Sequence, residues 1–413
     1  MRFRSIGYTP FMLLAQTCGL LGFGCYAVVL MPLQVEWQLS NLQSGLIASA
    51  FFFGYMLIVP LATALTDRID ARKVYLLGAL SASAGLLGMG LFASGFKTGL
   101  CFMVLNGAGL AGTYMPGLKI LSDRIQAGEL TRHIAFYTAF FGIGTGISYL
   151  ASGWILHGLG WRYVFGLIAL GPLSAFLIVL CFIPALTHEK WNGPIHIRLR
   201  DIFPIAKWRE VLKDKNAAGF IFGYTAHCIE LFASRSWIVA FFGFCATVSG
   251  DGFIFAATTL AGLVNFFGVP SSILGNEMAL RMGRQKWICL VMLGSAVMGI
   301  VLALSTGQSW WVIVVLAIAH TVFIMADSAT LTAGLVISAQ ENIKGAAMGL
   351  HSLMGFGGGM LGPALFGFVL DLSASKHSQI SWVWAYFSVV IWGVLFVLYE
   401  RRHGWSGRLK TNS

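Results

Sequence analysis

Residues 60–73 read PLATALTDRIDARK, and residues 279–286 read ALRMGRQK. Each is a short basic turn between long apolar runs, and Arg68 and Arg281 stand 213 positions apart. A second pair keeps nearly the same offset: GIGTGISYLASG (142–153) resembles GGGMLGPALFG (357–367), with Gly153 and Gly367 separated by 214. Two different motifs at one offset point to an internal duplication of about half the chain.

The apolar runs outward from these turns set the class. The 413 residues are 57% hydrophobic and only 10% Asp, Glu, Lys and Arg, where soluble domains carry about 25% of those charged types. A membrane-spanning helix needs roughly 20 mostly apolar residues. Such runs lie near 11–33, 44–66, 74–94, 100–122, 135–157 and 163–185, and again near 217–243, 253–275, 287–306, 310–334, 345–370 and 382–400. The expectation is an all-α membrane protein with twelve transmembrane helices in two pseudo-symmetric six-helix bundles. Residues 1–185 form the N-terminal bundle, 186–216 a cytoplasmic linker, 217–400 the C-terminal bundle and 401–413 a cytoplasmic tail. The first run follows Arg2 and Arg4 as a secretory signal would, but it exceeds the ~7–15 residues of a signal core and lacks a small-x-small cleavage site, so it reads as a helix.

A net charge of +11 raises nucleic acid as a partner; its placement argues against one. With both termini cytoplasmic, 22 of the 27 Lys and Arg fall on inner segments, against Lys97, Arg162 and Lys376 outside. The positive-inside rule selects that orientation. Within the linker, AKWREVLKDK (206–215) has the pattern of an amphipathic surface helix; a linker kept inside by its basic residues is the simpler reading. The seven cysteines form no CxxC pair and read as small buried side chains, with no metal or disulfide framework expected.

The run PLATALTDRIDARK resembles the signature loop between helices 2 and 3 of the major facilitator superfamily, and ALRMGRQK its second copy. The six-plus-six layout, the basic central loop and Pro32 after the first run extend the resemblance, to bacterial twelve-helix members, over essentially the whole chain. Asp67, Arg68 and Arg72 match the family loop. Thr63 stands where the family has Gly, Asp70 at its second Gly and Ala71 at the following Arg; in the second copy Leu280 replaces the Asp, while Gly283 and Arg284 match. Met103 stands where helix 4 often carries Arg, and Ile147-Ser148 where antiporters often have Gly-Pro. The resemblance implies a secondary active transporter working by alternating access, with gating by Asp67, Arg68 and Arg72 and a cavity lined by helices 1, 4, 7 and 10.

Small residues in spans such as GAGLAG (107–112) suit close helix contact better than cofactor binding. Ionisable residues within spans are the sharper signal, because lipid burial is costly. Tyr224, His227, Glu230 and Ser234 recur at three or four positions and share one helix face. His320 and Asp327 lie seven apart in a later span. Glu230, with His227, His320 and Asp327, is the expected proton-coupling group, and His227 or Arg235 its nearest partner along the chain. His351 reads as isolated and packed. Arg235, Tyr224, Asn106, Tyr114 and Gln16 are expected solute contacts, favouring a small organic anion. Lys119 joins the gating set, either pairing with Asp327 or reaching to the interface. The function expected is proton-coupled uptake of a small organic solute across an inner membrane by a multi-pass monomer, in contact with lipid and without cofactor, metal or enzymatic activity. Proton-driven efflux, and a non-transporting sensor of the same fold, are the alternatives.

Overall fold

A computed structural model describes residues 7–125, 127–186, 202–249, 256–340, 343–372 and 378–403. The Lys190–Arg200 stretch of the linker, most of the C-terminal tail and Lys376 lie outside the described residues. Those described are helical throughout, without a strand. The helices are α1 (Tyr8–Gly19), α2 (Cys25–Glu36), α3 (Asn41–Thr66), α4 (Ala71–Phe92), α5 (Phe96–Arg124), α6 (Ala127–Leu159), α7 (Trp161–Ile168) and α8 (Leu170–Phe182). They continue as α9 (Ile205–Lys213), α10 (Lys215–Ser249), α11 (Ala257–Phe266), α12 (Gly268–Met282), α13 (Arg284–Leu304), α14 (Trp310–Met325), α15 (Ser328–Ser338), α16 (Lys344–Leu372) and α17 (Gln379–His403).

Several are halves of one apolar run, as with α1 and α2, α7 and α8, α11 and α12, and α14 and α15. Joined so, eleven spans among the described residues are long and apolar enough to cross a membrane. α5 is not among them, because its charge-free interior carries Asn106, Thr113, Tyr114 and several glycines, which lower its mean hydropathy; its 29 residues still make it about 43 Å long.

The chain divides into two compact units, residues 1–38 with 50–203, and residues 39–49 with 204–413. In the first unit Met12, Tyr75, Ile120, Tyr137 and Val179 share a core. In the second, Val211, Phe220, Ile288, Leu331, Ala347 and Phe396 do so. Val211 comes from α9, so the basic linker segment is a helix docked by its apolar side onto the second unit, beyond the simple linker expected. Outward, Leu77, Phe92, Trp154, Leu361 and Leu398 are exposed, as side chains facing hydrocarbon can be.

Glycine sets how closely these helices approach. A Cβ at Gly107 would stand 1.8 Å from the Phe51 carbonyl oxygen, and one at Gly54 2.0 Å from that of Val104, so α3 and α5 touch backbone to backbone. In the second unit a Cβ at Gly362 would meet the Ile229 carbonyl oxygen at 2.3 Å. The two basic turns show why the copies differ. Gly283, opening α13, has φ of 91°, a conformation a side chain resists. Its counterpart Asp70 is extended, and its carboxylate accepts from the Arg72 N–H to cap α4.

Candidate functional site

α10 brings the ionisable residues of the second unit together. Its inward face buries His227, Glu230 and Arg235. The chain order suggests that His227, one turn away, serves Glu230. Each instead finds a partner across the helix interface. Glu230 Oε1 lies 3.0 Å from His320 Nε2 on α14, and Glu230 Oε2 accepts from Ser295 Oγ on α13 at 3.1 Å. His227 Nδ1 lies 2.8 Å from Asp327 Oδ1. The angle of this second contact is poor for a hydrogen bond, and it is an ion pair only when the imidazole is protonated. The side chains of both pairs are at most 5% exposed.

A break between α14 and α15 makes the second pair possible. Asp327 lies between Met325 and Ser328, where the two helices end and begin, so it no longer follows the straight-helix register of His320. The Ala326 carbonyl oxygen at the break accepts from Trp287 Nε1 at 2.9 Å. A Cβ at Gly275 would stand 2.0 Å from that same oxygen, so glycine lets α12 approach the break. This bond gives one carbonyl of the break a partner, where an unpaired buried one costs about 1–3 kcal/mol.

Tyr224, placed among the solute contacts by sequence, stacks between two imidazoles: its ring is 3.9 Å from that of His351 and 5.7 Å from that of His227. His351 is therefore packed, as expected, but not isolated, and its Nε2 lies 3.3 Å from Thr332 Oγ1. Gly355 leaves the slot for Tyr224, since a Cβ there would stand 2.3 Å from the tyrosine ring. Arg235 is buried, with Nη2 3.9 Å from Met325 Sδ.

Of the first-unit candidates, Asn106 serves the backbone. α1 gives way to one 3-10 turn, Leu20–Gly22, before α2 starts at Cys25. Asn106 Nδ2 donates to the Gly22 carbonyl at 3.4 Å. Ser148 Oγ accepts the Gly24 N–H at 2.9 Å and donates to the Leu21 carbonyl. Ser148 is thus a structural residue at the position where sequence noted only a missing Gly-Pro. Tyr114 packs against Tyr137 and Phe141. Gln16 is 2% exposed, and among the described residues its Nε2 has no hydrogen-bond partner.

Among the gating candidates, Asp67 is exposed and Arg68 half-buried. Arg72 donates to the carbonyls of Val179 and Leu180 at the end of α8. Lys119 Nζ pairs with Asp123 at 2.5 Å, one turn along α5, while Asp327 has His227. The hub sequence passed over is Asp70. It holds Arg124 at 3.1 Å and accepts the Leu186 N–H at 2.9 Å. Burial pushes the Asp70 carboxyl up. The N–H groups of Leu186 and Arg72 and the Arg124 guanidinium outweigh it and hold the carboxyl below the usual range. The one sequence signal was that Asp70 departs from the family glycine.

A family profile described as Major Facilitator Superfamily matches residues 12–363. The chain is 24% identical over 258 residues to "Protein spinster homolog 3" of Danio rerio, covering 58% of this chain and 51% of that one. It is 26% identical over 156 residues to "Niacin transporter NiaP" of Acinetobacter baylyi, covering 38% and 35%. The matches thus span about half or less of these relatives' length. A crystal structure of a bacterial homolog of the human lysosomal transporter Spinster, inward-facing and unoccupied, superposes with a TM-score of 0.75 at 17% identity, over 97% of this chain and 98% of that one. At that identity the likeness is one of fold.

Proposed function

Because the chain belongs to the Major Facilitator Superfamily, we propose that it is a secondary active transporter. It takes up a small organic solute by alternating access, with protons as the coupling ion. α5 supplies the twelfth span, both termini face the cytoplasm, and the protein resides as a monomer in a cell inner membrane. The observation that carries the coupling is the arrangement of Glu230 with His320 and Asp327 with His227, two buried carboxylate–imidazole pairs. A buried pair of this kind is uncharged overall with one proton and anionic without it, so gaining or losing that proton changes the stability of the state that holds it. Tyr224, His351 and Arg235 border the pairs and are the proposed solute contacts of the second unit. Gln16, whose Nε2 has no hydrogen-bond partner among the described residues, and Tyr114 are those of the first.

Asn106 is better read as a support of the α1–α2 break, and Asp70 with Arg124 and Arg72 as the connection that holds the ends of α4, α5 and α8 together. The resemblance to a niacin transporter makes nicotinate a reasonable first probe. The test is flux in liposomes containing the purified chain. An imposed pH gradient, acid outside, should drive nicotinate or another screened solute inward, and Glu230→Gln combined with Asp327→Asn should abolish the effect of the gradient. Solute binding without any flux would leave a sensor; flux driven outward by the same gradient would mark an exporter.

A further inference from the structure

We infer that the ionisable cluster of the second unit exchanges a single proton, and that the solute moving with it is a monoanion whose charge Arg235 meets. The inference deepens the proton-coupled reading and rests on it.

Within the spans of this unit, the described residues bury two carboxylates, Glu230 at 4% and Asp327 at 2% exposure, and one obligate cation, Arg235 at 8%. Glu400 lies apart in the last turns of α17, where Cys289 donates to it. The other titratable groups facing the pairs are Tyr224 and Cys228 of α10, His351 of α16 and Tyr386 of α17, whose ring is 5.7 Å from that of His320. None is another carboxylate or fixed cation. Arg235 and Asp327 are both within electrostatic reach of Cys228, and Arg235 touches Met325, two residues before Asp327.

Each pair carries a charge of minus one without a proton and zero with one. Arg235 offsets one bare pair and not two. A dry interior disfavours net charge, so the empty cluster rests with one pair protonated and one bare. The pairs are coupled, and the proton belongs to the cluster, not to one residue. When a monoanion engages Arg235, the bare pair loses its counter-charge and takes a proton from solution. The loaded cluster is again neutral, so one anion and one proton cross together without net charge. A monocation would do the reverse, displacing the resident proton and giving exchange. Solute charge and transport direction are therefore one question here, and Arg235 answers it in favour of an anion entering with a proton.

The first experiment needs no solute. The thermal midpoint of the full-length purified chain is followed over about pH 5 to 8, where histidine changes charge. In Arg235→Gln the folded state keeps a proton that the unfolded state gives up, so its midpoint should fall with rising pH more steeply than that of wild type. Combining it with Glu230→Gln, or with Asp327→Asn, should restore the wild-type slope; Arg235→Lys should never lose it. An unchanged slope in Arg235→Gln, or unrestored double variants, overturns the charge balance. If Arg235→Gln does not fold, Glu230→Gln and Asp327→Asn carry the test. Each removes the resident proton of the empty cluster and should flatten the fall of the wild-type midpoint above about pH 6.5, the unfolded histidine value, and slopes unchanged in both overturn it.

The second experiment compares benzoate, its neutral isostere benzamide and trimethylphenylammonium in weak buffer with a pH-indicating dye. Benzoate alone should raise the midpoint, with uptake of about one proton per molecule bound. Any other preference, silence included, overturns the monoanion. Slopes as expected without pH-driven flux in liposomes would remove the transport reading and leave the charge balance standing. PH-driven flux with contrary slopes would do the opposite.

Discussion

Asp371, in the last turn of α16, accepts the N–H groups that open α3: Asn41 N–H to Oδ1 at 3.0 Å and Leu42 N–H to Oδ2 at 2.7 Å. The Asn41 side-chain amide adds a third bond at 3.0 Å. Both residues belong to the second unit, which takes in residues 39–49 while the rest of α3 belongs to the first. A carboxylate from 330 residues away thus serves as the cap of a helix start and offsets its positive end. Asp371→Ala should cost about 1–2 kcal/mol in a detergent unfolding titration, the range of a lost N-cap, and Asp371→Asn clearly less.

Ser148 should behave as a backbone substitute. Ser148→Ala leaves the Gly24 N–H and the Leu21 carbonyl without their side-chain partner in a buried break. The expected loss is about 1–3 kcal/mol. A stability unchanged by the substitution would show that the break is hydrated and does not depend on the hydroxyl.

Gly107→Ala drives a methyl into the Phe51 carbonyl, and neither backbone can yield without moving a helix. Destabilisation of about 1–3 kcal/mol is expected, the cost of overpacking. Gly158→Ala is the control. It lies in α6 with nothing within 4 Å of a new Cβ, and the better helix former should be neutral or gain about 0.5–1 kcal/mol.

Asp70 predicts an acid-sensitive term. Its carboxyl is held low in the folded chain. Its contribution is therefore fully present above the unfolded carboxyl range and lost as pH falls through the folded value. Asp70→Asn should lower the thermal midpoint at neutral pH and flatten its decline on the acid side. A variant that declines with acid as steeply as wild type would assign the acid sensitivity elsewhere.

His320→Ala strips Glu230 of its imidazole and should cost about 3–5 kcal/mol, as breaking a buried pair does. Glu230→Gln keeps a hydrogen-bonding group of the same size and should stay folded. With Asp327→Asn added, uptake should no longer respond to a pH gradient, while solute exchange at equal pH continues. Loss of exchange together with uptake would make these carboxylates solute-binding residues instead.

Much of the fold was legible because hydrophobic runs and basic turns are local signals. Asp70 and Gly283 occupy the same place in the two copies, and only their difference in conformation was hidden. The candidate site was legible as a list of residues and not as a set of partners. Glu230, His227, His320 and Asp327 could be named because charges within spans are rare. Their pairing depended on how α14 breaks before Asp327, and no residue type near 326 announces that break. Asn106 and Ser148 look like solute contacts or spacers until the interruption after Gly19 shows which backbone groups need them.

The sequence by itself determined the class of this protein, since bilayer thickness, the cost of burying charge and the positive-inside bias act on composition and spacing alone. The two motifs that point to a duplication were equally readable, as their offsets nearly agree. Only the tertiary structure decided which imidazole meets which carboxylate, which glycines let backbones touch, and that Asp371 caps α3. Those contacts join residues 50 to 330 positions apart, and a distance across a packed interface follows from where helices break and cross, which no local pattern records.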